Sequence, residues 1–207
     1  MSSTDSTHID FVFHPDFDAA TAQSACASAA AVWAERCGRP VRAADPVDVG
    51  TAIRLSRWQQ DGPPAVAMDL TLDGSVPVSM CSIVSRDPHA AAQVAEWVWD
   101  HLTNDHEYVF LCHPDELVEM ALDPAAEPAD LVRAAIPFKH DPQPALQPRI
   151  EAALAASSGA DWQAAGAKAA ALAAWPTLVP ALQQARAVAS DDTLRRLLDM
   201  ALRNCRP

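Results

Sequence analysis

The sequence predicts an α+β fold, a mainly antiparallel sheet with two helices on one face, followed by an alanine-rich helical C-terminal region. Three observations predict it. Apolar residues alternate at a period of two in several short segments of the first half. Two longer segments there carry apolar residues three and four apart. Beyond a stretch with six prolines between Asp123 and Pro148, the pattern becomes wholly helical.

Ile9, Phe11 and Phe13 form the first alternating run and read as a strand. Asp16 or Asp18 caps a helix that runs to Cys37 and stops at Gly38. Ala22, Cys26, Ala29, Trp33 and Cys37 share one face of it. A second strand is expected over Thr51–Trp58. A third carries Val66, Met68, Leu70 and Leu72 on one face, and Asp73-Gly74 supplies a hairpin turn after it. Val76, Val78 and Met80 start the returning strand, but the apolar phase then moves to Cys81 and Ile83, which predicts a bulge near Met80. Asp87-Pro88 opens a second helix with Ala91, Val94, Val98 and Leu102 on its buried stripe. Tyr108–Cys112 is a continuous apolar run and reads as a central strand.

The expected organisation is a disordered N-terminus (1–8), an α+β domain (9–123), a proline-rich linker (124–148) and a helical region (149–207). In the last, Ile150 and Leu154 mark one helix and Gly159 its stop. Asp161 precedes a run through Trp162, Ala165, Ala169 and Leu172 that Pro176 ends. Leu178, Leu182, Ala185 and Val188 continue, and Asp191 or Asp192 starts a final helix.

Charge is the most uneven property of the chain. Its net charge is -12 over 207 residues. Between Arg86 and Arg133 it has eleven carboxylates and no lysine or arginine. Such a field repels nucleic acid and lipid headgroups and attracts cationic protein surfaces. The polar first residues have no signal-peptide pattern, and no apolar run reaches the length of a membrane span. Five cysteines, odd in number and without a CxxC pair, read as buried free thiols of a cytoplasmic protein. No Walker loop, GxSxG, GxGxxG or HExxH occurs, so neither a cofactor nor a catalytic residue is expected.

The triplet His-Pro-Asp occurs at 14–16 and again at 113–115, each time after an apolar run and before a helical one. Proline stops the strand, and the aspartate is expected to accept from the first N–H groups of the helix. A metal-dependent hydrolase built on His101, His106, His113 and Asp115 is the less favoured alternative, because their intervals match no helical ligand spacing.

Leu178-Val179-Pro180-Ala181-Leu182, Asp192, Leu194-Arg195 and Ala201-Leu202 give the last sixty residues a pattern that resembles a HEAT-type repeat. That resemblance implies a binding surface rather than a catalytic unit. In overall type the chain is similar to the acidic immunity proteins of bacterial toxin systems. The function expected is therefore a protein-binding inhibitor that neutralises or chaperones a basic toxin or effector; a structural adaptor in a secretion or regulatory complex is the alternative. The expected contact residues are Glu96, Asp100, Asp105, Glu107, Asp115, Glu116, Glu119 and Asp123, with Trp99 and Trp58 as apolar anchors.

Overall fold

A computed structural model describes residues 6–75, 78–104, 109–155 and 157–206. The chain forms two compact units, Met1–Cys112 and His113–Pro207. The first holds an antiparallel sheet with two helices, and the second is all helical.

In the first unit, β1 (Thr7–Val12) starts inside the segment expected to be disordered. Asp18 caps α1 (Ala19–Cys37) by accepting from the Thr21 N–H at 2.8 Å, and Gly38 closes it at φ 63°. The capping bond holds the Asp18 carboxyl below its ordinary range. Short strands β2 (Val41–Ala43) and β3 (Val47–Val49) follow, then β4 (Ile53–Gln60), β5 (Val66–Asp73), β6 (Val78–Ser85) and α2 (Pro88–Asn104). The strand order is β1-β6-β5-β4-β2, with β3 beside β2 on the outer edge of β4. Asp87 caps α2 by accepting from the N–H groups of His89 and Ala90.

Both helices cover one face of the sheet. Trp58, Val66, Met68, Leu70, Cys81 and Ile83 point into that core, where they meet Ala22, Cys26, Ala29, Trp33, Val94, Val98 and Leu102. Each fully buried large apolar side chain contributes about 1.5–3 kcal/mol of transfer free energy. The opposite face carries Arg57 and Asp69, paired at 2.6 Å.

Two sequence expectations fail here. There is no bulge near Met80, because β5 and β6 pair without interruption from Val66↔Ser85 to Asp73↔Val78. Val78 and Met80 lie on the face away from the helices, while Cys81 and Ile83 lie beneath them. Apolar residues occupy both faces, which a single-face reading mistakes for a change of phase. Nor does the run ending at Cys112 form a central strand. Leu111 makes one isolated antiparallel bridge to Phe13, and the Cys112 N–H donates to the Val12 carbonyl at 2.9 Å. Val76 and Tyr108, expected in these strands, lie outside the described residues.

The second unit contains α3 (Pro114–Leu122), α4 (Pro128–Ala135), α5 (Gln147–Leu154), α6 (Ala160–Ala173), α7 (Val179–Val188) and α8 (Asp192–Asn204). Helix α6 is its axis and packs against α4, α5 and α8. Its alanines admit three neighbours at close range, and Ala165, Ala167, Ala169, Ala170 and Ala173 are buried. Trp175 is fully buried, and its indole N–H donates to the Phe138 carbonyl at 2.7 Å. Asp191 caps α8 through the Leu194 N–H at 2.7 Å.

The proline-rich stretch expected as a linker is part of this unit. Pro128 and Pro148 occupy first-turn positions of α4 and α5, where a missing N–H costs nothing. Leu131, Val132, Ala134, Ala135 and Ile136 are buried there. The division between units therefore falls at Cys112/His113, before that stretch. Among the described residues no helix is long and apolar enough to cross a membrane.

Candidate functional site: the acidic surface

The expected contact residues fall into two sets, one in each unit. Glu96 and Asp100 lie one turn apart on α2, the first exposed and the second half-buried. Trp99 is half-buried on the same helix and tilts against Phe11 with ring centroids 5.4 Å apart. Trp58 belongs elsewhere. It lies within β4, not in a loop, and is only 5% exposed among the core residues. Its place inward on a strand, opposite Met68, withdraws it as a surface anchor. Asp105 and Glu107 lie outside the described residues, as does His106.

The second set lies on α3 of the helical unit. His113 is the N-cap, and Asp115, Glu116 and Glu119 are exposed, as is Asp123 at the C-cap. Leu122, 45% exposed, stands between the last two acids. Asp115 and Glu116 in the first turn interact favourably with the positive end of the helix. Glu119 gains nothing there, and it stands four residues from Asp115 and three from Glu116, where like charges repel. The last turn of α3 has no basic residue to offset it. Helix formation explains the first two acids and leaves Glu119 unexplained.

Other carboxylates of the same stretch are used locally. Asp130 pairs with the buried Arg133 at 2.6 Å and accepts from the Glu127 N–H at 2.8 Å. Asp123 also accepts from the Ala125 N–H at 2.7 Å. Arg149 lies over the Trp162 ring, 4.6 Å from its centroid.

At both His-Pro-Asp triplets the histidine, not the aspartate, is the acceptor. His14 Nδ1 accepts from the Asp16 N–H at 3.4 Å, and His113 Nδ1 from the Asp115 N–H at 3.3 Å. The first triplet starts no helix, since Asp18 caps α1. His101 is buried with Nε2 2.9 Å from Ser28 Oγ, which joins α2 to α1. The described histidines of the alternative metal set thus hold structural bonds.

Fold and surface together define an α+β unit followed by an all-α unit with an acidic first helix. Against known protein families, curated proteins and solved structures alike, the chain finds no match.

Proposed function

We propose that this chain is a cytoplasmic bacterial inhibitor of the immunity type, which binds and neutralises, or chaperones, a basic toxin or effector. The observation that carries the reading is α3, where Asp115, Glu116, Glu119 and Asp123 are exposed beside Leu122 with no cation in the last turn. A helix bearing self-repelling acids around an apolar residue suits a partner that supplies lysine and arginine around an apolar pocket. The charges would accelerate encounter, and Leu122 would set the dissociation rate. The HEAT-like pattern of the C-terminal helices agrees with a binding role, and no enzymatic activity is part of the proposal.

The test begins with purification of the chain from its native host and identification of the protein that accompanies it by mass. The partner should be basic, toxic when expressed alone and harmless when expressed together with this chain. Glu116→Lys with Glu119→Lys should slow association about tenfold at low salt, with little change in dissociation. An association rate insensitive to both salt and charge reversal would remove the acidic surface from the interface.

A further inference from the structure

The α+β unit has fifteen carboxylates against six arginines and no lysine, yet three of those arginines, Arg36, Arg39 and Arg42, fall within seven residues. Arg42 is paired with Asp61 at 2.8 Å. Arg36 and Arg39 make no ion pair among the described residues; Arg39 donates from Nη1 to the Pro63 carbonyl. Both line one cleft of about 360 Å³, at the edge of the helix-covered core. Its lining contains no aspartate or glutamate, although acids outnumber bases throughout the unit. The half-buried Trp97 of α2 forms another wall, and the buried Val66 and Val94 also contribute. Gln60, at the inner side, has its amide already engaged, accepting from Trp33 Nε1 at 3.3 Å and donating to the Pro64 carbonyl at 3.2 Å.

We propose that this cleft binds a small aromatic oxyanion, with a carboxylate or phosphate held by Arg36 and Arg39 and a planar ring against Trp97. Guanidinium groups match the geometry of both oxyanions through paired N–H donors. A position in the last turn of α1 accounts for a cation at Arg36 but not for its convergence with Arg39. No carboxylate of the lining stands against the two guanidinium groups to compete with an incoming anion. The volume lies within the range of small-molecule sites. The half-buried Trp97 favours a ring over a bare ion, since a bare ion would leave its indole surface uncovered. The site is independent of the acidic surface of α3, so failure of either proposal leaves the other standing.

The experiment titrates the ¹⁵N-labelled full chain with phenyl phosphate, inorganic phosphate and benzyl alcohol, following the Trp97 indole N–H, assigned through Trp97→Phe. Phenyl phosphate should shift that signal saturably with a Kd on the order of 1 mM or below. Inorganic phosphate and benzyl alcohol should each bind at least about tenfold more weakly, lacking ring or charge. Arg36→Gln with Arg39→Gln, at exposed positions, should weaken phenyl phosphate about tenfold or more while the amide spectrum stays folded. Should that pair disturb the fold, Trp97→Leu, followed through the backbone amides of α2, should weaken it by a comparable factor. The absence of a saturable shift, undiminished binding by the folded arginine variant, or equal binding of inorganic phosphate would each overturn the proposal. So would binding only of an acidic aromatic peptide, which would make the cleft part of a protein interface.

Discussion

At the scale of single residues, the α+β core is most exposed to change where it buries polar atoms. Gln60 is 6% exposed and its side-chain oxygen accepts from the indole N–H of Trp33, a side chain with no exposed surface. Gln60→Leu keeps much of the volume but leaves that N–H unpaired in the core, at a cost of about 1–3 kcal/mol. The same change made on Trp33→Phe should cost less, because the donor is already gone. Equal costs in the two backgrounds, measured by denaturant unfolding, would mean that the hydrogen bond contributes nothing.

The thiols give a second residue-scale prediction. A hydrogen bond to Cys26, followed by burial, pushes the Cys81 thiol well above its ordinary range, and burial pushes Cys205 up to about 11. Iodoacetamide at pH 8 should therefore modify Cys37, the half-buried thiol, before Cys26, Cys81 or Cys205. A folded-state pKa above the unfolded value favours the native state fully at lower pH. For Cys205 that contribution is lost as pH rises from about 9 through about 11. The helical unit should thus lose stability across that alkaline window, and Cys205→Ala should flatten the loss. A slope unchanged by the substitution would place the titrating group elsewhere.

At the scale of elements, α6 depends on a close approach that one methyl group would disturb. A Cβ at Gly166 would lie 3.1 Å from the Ala153 Cβ and 3.2 Å from the Leu154 nitrogen of α5. Helix propensity alone makes alanine better than glycine by about 1 kcal/mol. Overpacking against backbone costs about 1–3 kcal/mol and should win. Gly166→Ala should lower the melting temperature of the helical unit, and Gly166→Val should lower it further. A rise with alanine would show that α5 moves away freely.

Elements were legible in the sequence wherever a local signal matched a local cause. The Gly38 stop of α1 and the alternation of β5 needed no knowledge of the rest of the chain. Local signals narrowed the caps of α1 and α8 to Asp16 or Asp18 and to Asp191 or Asp192, between which the structure selects Asp18 and Asp191. Strands β2 and β3, three residues each and separated by Pro46, had no such signal, because pairing with the distant β4 makes them strands. The prolines of 124–148 misled by number, since their meaning depends on whether each stands at a helix start. Among surface features, the acids of α3 could be read directly from composition. The Arg36–Arg39 cleft was only hinted at by arginines spaced three apart on either side of Gly38. Its other walls come from β4, β5 and α2, which sequence distance conceals.

At the scale of the whole molecule, one property acts in opposite directions on stability and on binding. A net charge of -12 repels itself, and the excess of carboxylates lies in a single stretch, where neighbouring acids are close in sequence. The ion pairs that salt would weaken, among them Arg42–Asp61, Arg57–Asp69 and Arg186–Asp199, have partly exposed guanidinium groups and contribute little. Screening should therefore relieve more repulsion than it removes attraction. Between 10 and 500 mM sodium chloride at pH 7, the melting transitions should rise by about 2–4 °C, roughly 1 kcal/mol for a chain of this size. If the proposed basic partner binds α3, its association should slow steeply over the same range, because the carboxylates that destabilise the free protein would then be those that steer the encounter. A melting temperature that fell with salt would mean that the acids are neutralised within the fold. In that event the surface of α3 would have no surplus charge to offer a partner.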